Sequence, residues 1–261
     1  MGRIPLSWAN AIPIGLLIFI VAGVYSSVGL GGASGYLAIL SLFSIPHDVM
    51  ATSALCLNLL VAGVAFWSFR EKDFFSWHLT WPFMATSIPA ACLGGLCKIS
   101  FRAYSLLLGM VLIAAVIRLM MDRQNEERPL NGKTLPLKAA FPVGVGIGFL
   151  AGMVGIGGGI LLGPLALLYR WGGAKQIAAT TALIIFVNSM AGLLGRYFGG
   201  NLRVLSPWFF IFVIVAALWG GLLGSHLGAN FFSNRWLKRI LSAILALIAI
   251  KLFFTVGRGM A

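Results

Sequence analysis

Between Ile4 and Pro46 the chain carries no Asp, Glu, Lys or Arg, and the same holds for Val49–Phe69, Ala139–Tyr169, Ile177–Gly195 and Val204–Asn234. An uncharged apolar run of about 18 residues or more is long enough to cross a bilayer as a helix, and two of these runs have length for more than one pass or for a broken helix. Phe74–Cys97, Ala103–Ile117 and Ile240–Ile250 are shorter candidates, the last extended past Lys251, which can snorkel from a helix end. Within lipid every backbone polar group must be paired inside the protein, so only helices or closed barrels span, and these runs are too apolar for barrel strands. The expected fold class is all-α, a polytopic membrane protein, in line with 60% hydrophobic residues, 10% charged residues and a mean hydropathy of +0.98.

A net charge of +13 suggests nucleic acid until the charges are located. They fall at the ends of apolar runs, where they act as orientation signals, so no nucleic-acid partner is expected; the bilayer is. The start MGRIPLSWAN leads directly into an apolar stretch without a small-residue cleavage pattern, unlike a cleaved leader. Cys56, Cys92 and Cys97 show no CxxC spacing and read as small core residues. No metal and no cofactor are expected.

The chain repeats itself. Shifted by 126 residues, Val28–Gly32 (VGLGG) falls on Val154–Gly158 (VGIGG), Ala90–Leu96 (AACLGGL) on Ala216–Leu222 (AALWGGL), and Arg70 on Arg196; with a two-residue slip, Ala51–Leu55 (ATSAL) meets Ala179–Leu183 (ATTAL). The polar stretch Asp122–Lys138 holds three of the six acidic residues and four basic ones. The expected organisation is a first transmembrane repeat over 1–121, a cytoplasmic linker over 122–138 and a second repeat over 139–261.

Each half reads as an apolar stretch, a glycine break, a shorter apolar stretch and three long helices. In the first half these are Ile12–Ser27, the break Gly29–Gly32, Ser34–Phe43, Val49–Phe69, Phe74–Cys97 and Ala103–Met121. In the second they are Ala139–Val154, the break Gly155–Gly159, Ile160–Tyr169, Ile177–Tyr197, Val204–Phe232 and Leu237–Val256. A break that forms a hairpin gives an odd number of crossings per half and inverted repeats; a bend within one crossing gives parallel repeats. Both paths divide Lys and Arg 12 to 7 with the linker on the richer side, so charge does not separate them. The hairpin is preferred, because the pieces beside the break are too complete for half-spans and inverted repeats recur in secondary transporters.

A helix that starts within the membrane presents unpaired N–H groups and a partial positive charge, which accept an anion without a buried lysine. Glycine lets the backbone turn sharply and approach a ligand closely. The expected substrate-binding residues are therefore Gly29, Gly31, Gly32 and Ser34 at the first break and Gly155, Gly157, Gly158 and Gly159 at the second, with helix starts at Ser34 and Ile160. To these we add Thr52, Ser53 and Asn58 from the helix after the first break and Thr180, Thr181 and Asn188 from its counterpart, since hydroxyls and amides donate to an oxyanion and are cheap to keep in a membrane. The hydroxyls rank above the two Asn, whose spacings disagree. The alternative is that these groups bond back to their own helices or join helices together. Gly220, Gly224 and Gly228, four residues apart, read as a packing ladder.

All six acidic residues, Asp48, Glu71, Asp73, Asp122, Glu126 and Glu127, lie outside the apolar runs, which disfavours a cation pump or a carboxylate-based proton antiporter. His47 and His78 sit near helix ends, and His226, within a long helix, is a candidate for coupling to pH. Arg70 and Arg196 end equivalent helices and read as snorkelling anchors with a secondary reading as guides for an anion. Trp67, Trp77, Trp81, Trp208 and Trp236 fall near helix boundaries, as an interfacial belt does.

At the duplicated motifs the chain resembles the TauE/SafE family of sulfite and organosulfonate permeases. GMVGIGGGILLGPLALL (152–168) and AATTALIIFVNSMAGLLG (178–195) carry the resemblance, which covers nearly the whole chain. The first half departs from it, with Ala33 at the third glycine and Ala38 where the second half has Pro164. The resemblance implies a plasma-membrane, multi-pass permease for sulfite, sulfoacetate, taurine or isethionate; the sulfur chemistry comes from the resemblance alone.

The expected function is a secondary transporter for a small anion, with the halves moving to expose a mid-membrane site alternately. An anion channel shares the site chemistry. A membrane-embedded enzyme is disfavoured, since enzymes need positioned acids, bases, metals or paired thiols and the apolar runs hold no carboxylate and no CxxC. A homodimer stays open as the assembly.

Overall fold

The computed structural model describes residues 8–43, 45–97, 137–169 and 171–237, with 239–241, 243, 244 and 246 beyond them. The described residues are helical with turns between, without a strand. The helices are α1 (Trp8–Ser26), α2 (Ala33–Leu42), α3 (His47–Arg70), α4 (Trp77–Leu96), α5 (Leu137–Val154), α6 (Gly159–Leu168), α7 (Ala174–Phe198) and α8 (Pro207–Asn230). The expected helix Ala103–Met121, residues 122–136 of the linker and most of Leu237–Val256 lie outside the described residues.

Boundaries differ from the sequence reading where local chemistry decides them. The linker loses Leu137 and Lys138 to the first turn of α5, which follows Pro136 in sequence, a residue type suited to helix starts. Likewise α8 begins at Pro207 after Ser206 rather than at Val204. The expected start of α4 at Phe74 moves to Trp77, because α3's C-terminal turn runs on: Asp73 adopts φ 56° and the Phe74 N–H bonds the Phe69 carbonyl at 3.3 Å. Helices α2 and α6 start at Ala33 and Gly159, one residue before Ser34 and Ile160.

Helices of the two halves interlock through small residues. A Cβ on Gly220, Gly224 or Gly228 of α8 would strike the backbone of Phe19 or Gly23 of α1 or of Ser27 just past its end, so α1 and α8 run parallel in backbone contact. This is the packing role expected of that ladder, and it fits membrane interiors, where helices associate by close approach and not by expelling water. The same relation holds α5 to α4, where Gly148 and Gly152 face the backbone of Ser87 and Ala91. Thr80 donates to Thr180 at 3.1 Å, Ser87 to Asn188 at 2.9 Å, and Gly95 lies against Gly195, so α4 also runs parallel to α7. Gly63 beside Phe186 and Gly192 beside Leu55 make α3 and α7 antiparallel. Val61 beside Gly221 and Ser68 bonded to Ser225 at 2.9 Å make α3 parallel to α8.

Among the described residues three helices, from Asp48, Ala174 and Pro207 onward, are long and apolar enough to cross a membrane, and Ala11–Ser26 and Ala140–Val154 are shorter apolar helices. On α1, Ile12, Leu16, Ile20 and Val24 form an exposed stripe opposite buried Ala11, Ile14, Ile18 and Ala22. Such a stripe is a liability in water and an ordinary outer surface in lipid. Trp67, Trp77, Trp208 and Trp236 are exposed and Trp81 half-buried.

Candidate functional site

Both glycine segments interrupt the helices. After α1 the chain folds into tight turns, with the Val28 and Leu30 N–H groups bonded to the Tyr25 carbonyl and that of Gly29 to Ser26. After α5 the Gly155 and Ile156 N–H groups share the Ala151 carbonyl. Gly158 then adopts φ 84°, left-handed backbone that other L residues occupy at a cost of about 1–2 kcal/mol, and its carbonyl starts α6 by accepting from Leu161 and Leu162. No side chain caps this start. The first amides of α6 are therefore left to other partners, as the open end of any helix leaves them.

The two interruptions meet. A Cβ on Gly157 would lie 3.0 Å from Asn58 Nδ2, 3.0 Å from Ser189 Oγ and 2.8 Å from Ile185 Cγ2. One on Gly31 would run into Asn58 Oδ1 and lie 3.0 Å from Ile185 Cγ2. Asn58 and Ile185 sit halfway along α3 and α7. The segments arrive from opposite ends of this antiparallel pair: Gly29 lies against the backbone of Ala178 near the start of α7, and Gly155 against that of Ala51 near the start of α3. Thus α2 and α6 both begin near the middle of the bundle.

Polar side chains there are buried and partly unpaired. Neither amide atom of Asn58 has a hydrogen-bond partner, nor do Ser189 Oγ, Ser53 Oγ and Tyr36 OH, the last beside Gly32. Asn188 accepts from Ser87 through Oδ1, while its Nδ2, unpartnered, faces Gly158 at 3.4 Å from a Cβ position. A buried polar group without a partner costs about 1–3 kcal/mol, and most native ones are paired.

Apart from the unpartnered Ser53, the expected hydroxyls behave differently. Thr52 donates back to the Asp48 carbonyl at 2.9 Å. Thr181 bonds the Ile177 and Ala178 carbonyls of its own helix and, at 3.1 Å, the Gly29 carbonyl of the first break. Thr180 accepts from Thr80, and the Ser34 and Tyr25 hydroxyls bond each other at 3.0 Å. A threonine on a helix reaches the carbonyl one turn back, whereas Asn58 and Asn188 project between helices.

Sequence reading missed Ser189 and Ser87. Ser189 was legible in principle, since Thr181, Ile185, Asn188 and Ser189 share one helical face. Arg196 corrects a further expectation. It does not snorkel; it is 5% exposed, with Nη2 bonded to the Met153 carbonyl at 3.1 Å and Nε unpartnered. Gly95 and Gly195 bring α4 and α7 into backbone contact there and cover the last turn of α7. Arg70, at the equivalent end of α3, is exposed, its guanidinium 5.9 Å from the Phe66 ring centroid. His78 and His226 are exposed, the latter's Nδ1 3.2 Å from Asn230 Nδ2. Cys97, expected in the core, is exposed, and Cys56 and Cys92 are half-buried.

Described residues that are helical throughout, with lipid-compatible outer faces and a polar, glycine-lined centre, have the design of a membrane transporter. Its sequence matches the family described as "Sulfite exporter TauE/SafE" over residues 14–252, and the chain belongs to that family. It is 36% identical over 248 residues to the "Probable membrane transporter protein y4hK" of Sinorhizobium fredii, covering 94% of this chain and 99% of the relative. It is 26% identical to the "Probable membrane transporter protein YunE" of Bacillus subtilis, covering 92% and 96%. No solved structure matches it.

Proposed function

We propose that the chain is a secondary transporter of the plasma membrane that moves a small sulfur-containing anion, sulfite or an organosulfonate such as sulfoacetate, isethionate or taurine, by alternating access. The anion is held where the breaks meet, by Gly31, Gly32, Gly157, Gly158 and Gly159, Asn58, Asn188 and Ser189, with Gly29, Gly155, Ser53, Thr52, Thr180, Thr181 and Ser34 shaping the surrounding backbone. The observation that carries this reading is Asn58: a buried amide with both polar atoms unpaired, wedged between two helix starts. Backbone and amide N–H groups suit an oxyanion, and with no carboxylate at this point a cation finds no counter-charge. The sulfur chemistry rests on the family's printed description.

The halves, 1–121 and 139–261, are inverted repeats in this reading. Helices α1, α3 and α8 run one way and α4, α5 and α7 the other, which supports it, because α1, α3 and α4 then oppose their counterparts α5, α7 and α8. With the linker cytoplasmic, α4 and α7 end on the outer side.

The test is thermal unfolding of the purified protein in detergent with sulfite, sulfoacetate, isethionate, taurine, sulfate, chloride and alkali cations, since a ligand that binds only the folded state raises its stability. Sulfite or a sulfonate should raise the midpoint of the natural chain. Asn58→Leu, which replaces an unpaired amide with an apolar group of like size, should unfold later without ligand and lose the response. A natural chain that answers to cations alone, or an Asn58→Leu chain that answers as the natural one does, overturns the reading.

A further inference from the structure

Arg196 lies outside the polar centre, at the place where three helix ends converge. Its Nη2 bonds the carbonyl of Met153, two residues before the break residue Gly155. Gly155 in turn stands against Ala51, a Cβ there falling 2.8 Å from its carbonyl, and Ala51 lies one turn beyond Asp48 in α3. Asp48 acts electrostatically on Arg196 and is half-buried. The first turn of α3, the last turn of α5 with its break, and the last turn of α7 thus enclose one guanidinium. An ionisable side chain buried in a membrane protein faces its interior or a solute path and pairs with a partner. Here one carbonyl is the hydrogen-bond partner, Asp48 contributes only its charge without an ion pair, and Nε is unused.

A purely structural arginine would be expected to spend its donors. The guanidinium carries five, in a planar fork that matches an oxyanion, and charge-assisted bonds of this kind are stronger than bonds to a neutral carbonyl. Arg70 shows that position at a helix end does not by itself bury the group, since it stands exposed at the counterpart site. The burial of Arg196 comes from Gly95 and Gly195, which close α4 over the end of α7.

We propose that Arg196 is a second anion-binding residue, a gate subsite at the mouth of the Gly155–Gly159 break. In the form described its guanidinium is occupied by the Met153 carbonyl and balanced by Asp48; an arriving oxyanion displaces the carbonyl, takes Nε and Nη2 as donors, and passes on to the uncharged centre at Asn58. This rests on the anion-carrier reading above and adds to it the residue that meets the anion at one mouth of the path. Asp48 then competes with the anion, holding the gate shut when none is present.

The experiment uses the full chain in proteoliposomes, with radiolabelled sulfite as probe and thermal unfolding in detergent alongside. Arg196→Gln should raise KM about tenfold while the natural chain and Arg196→Lys differ by a few-fold, a loss of the size that follows when one charged donor is removed from a bound state. Asp48→Asn should lower KM, because the guanidinium loses its competitor; this variant keeps the test open where Arg196→Gln fails to fold. An Arg196→Gln chain with lowered stability and unchanged KM, or an Asp48→Asn chain with unchanged KM, overturns the gate and reduces Arg196 to a cap on α5. A natural chain that neither binds nor moves sulfite or sulfonates overturns the carrier reading instead, and the gate with it.

Discussion

Ser87 donates its hydroxyl proton to Oδ1 of Asn188 across 2.9 Å, and by doing so aims the other end of that amide, Nδ2, at the start of α6. An asparagine held by one atom has its second set by geometry, so Ser87 is a positioning residue for the site. Ser87→Ala should raise KM for sulfite several-fold while costing about 1–3 kcal/mol of stability, since Asn188 Oδ1 is left buried without its partner. Transport assays and denaturation of the same preparation separate the two effects, and an unchanged KM would show the bond to be structural only.

Gly158→Val should abolish transport while leaving expression measurable. The residue sits at φ 84°, and its Cβ would come within 2.7 Å of Ile147 Cγ2. Left-handed backbone costs a non-glycine residue about 1–2 kcal/mol, and a β-branched side chain more. Gly146→Ala is the control, because a Cβ there meets nothing within 4 Å and helix propensity favours alanine by about 1 kcal/mol. Equal transport by both variants would remove the close-approach role of Gly158.

Gly224→Leu should destabilise the fold and not merely the activity. Any Cβ at this position strikes the Gly23 carbonyl and approaches Ser26 Oγ at 2.5 Å, so α1 and α8 must separate along their length. Overpacking of this kind costs about 1–3 kcal/mol, read as a lower unfolding midpoint in detergent.

The inverted arrangement predicts sidedness. Cys97, exposed just past the end of α4, should react with a membrane-impermeant maleimide on intact cells in a Cys56→Ser, Cys92→Ser background. Labelling that requires permeabilised cells would place α4's end in the cytoplasm and reverse the orientation.

The breaks and the long helices were legible because both follow from composition at fixed positions: charge-free length gives the span, and glycine clusters give the interruption. Even the α8 ladder was readable from Gly220, Gly224 and Gly228 alone. Partner choice was less so. The repeat marks Thr52 and Thr181 as conspicuous, yet a helical threonine has a carbonyl one turn back, and only the fold reveals that Asn58 has nothing comparable within reach. Arg196 reads like Arg70 in sequence, because the difference lies in Gly95 of a helix about a hundred positions earlier, which lets α4 close over it.

Backbone contact fastens α1 to α8, and likewise α4 to both α5 and α7, whereas α3 meets α7 through side chains such as Phe186 against Gly63. Surfaces seated that closely resist sliding, and backbone contact reaches past α3 and α7 as well, with Gly29 on Ala178 and Gly155 on Ala51. The tightest seams therefore join helices that lie far apart along the chain, and cutting the sequence at its linker would split nearly every one of them.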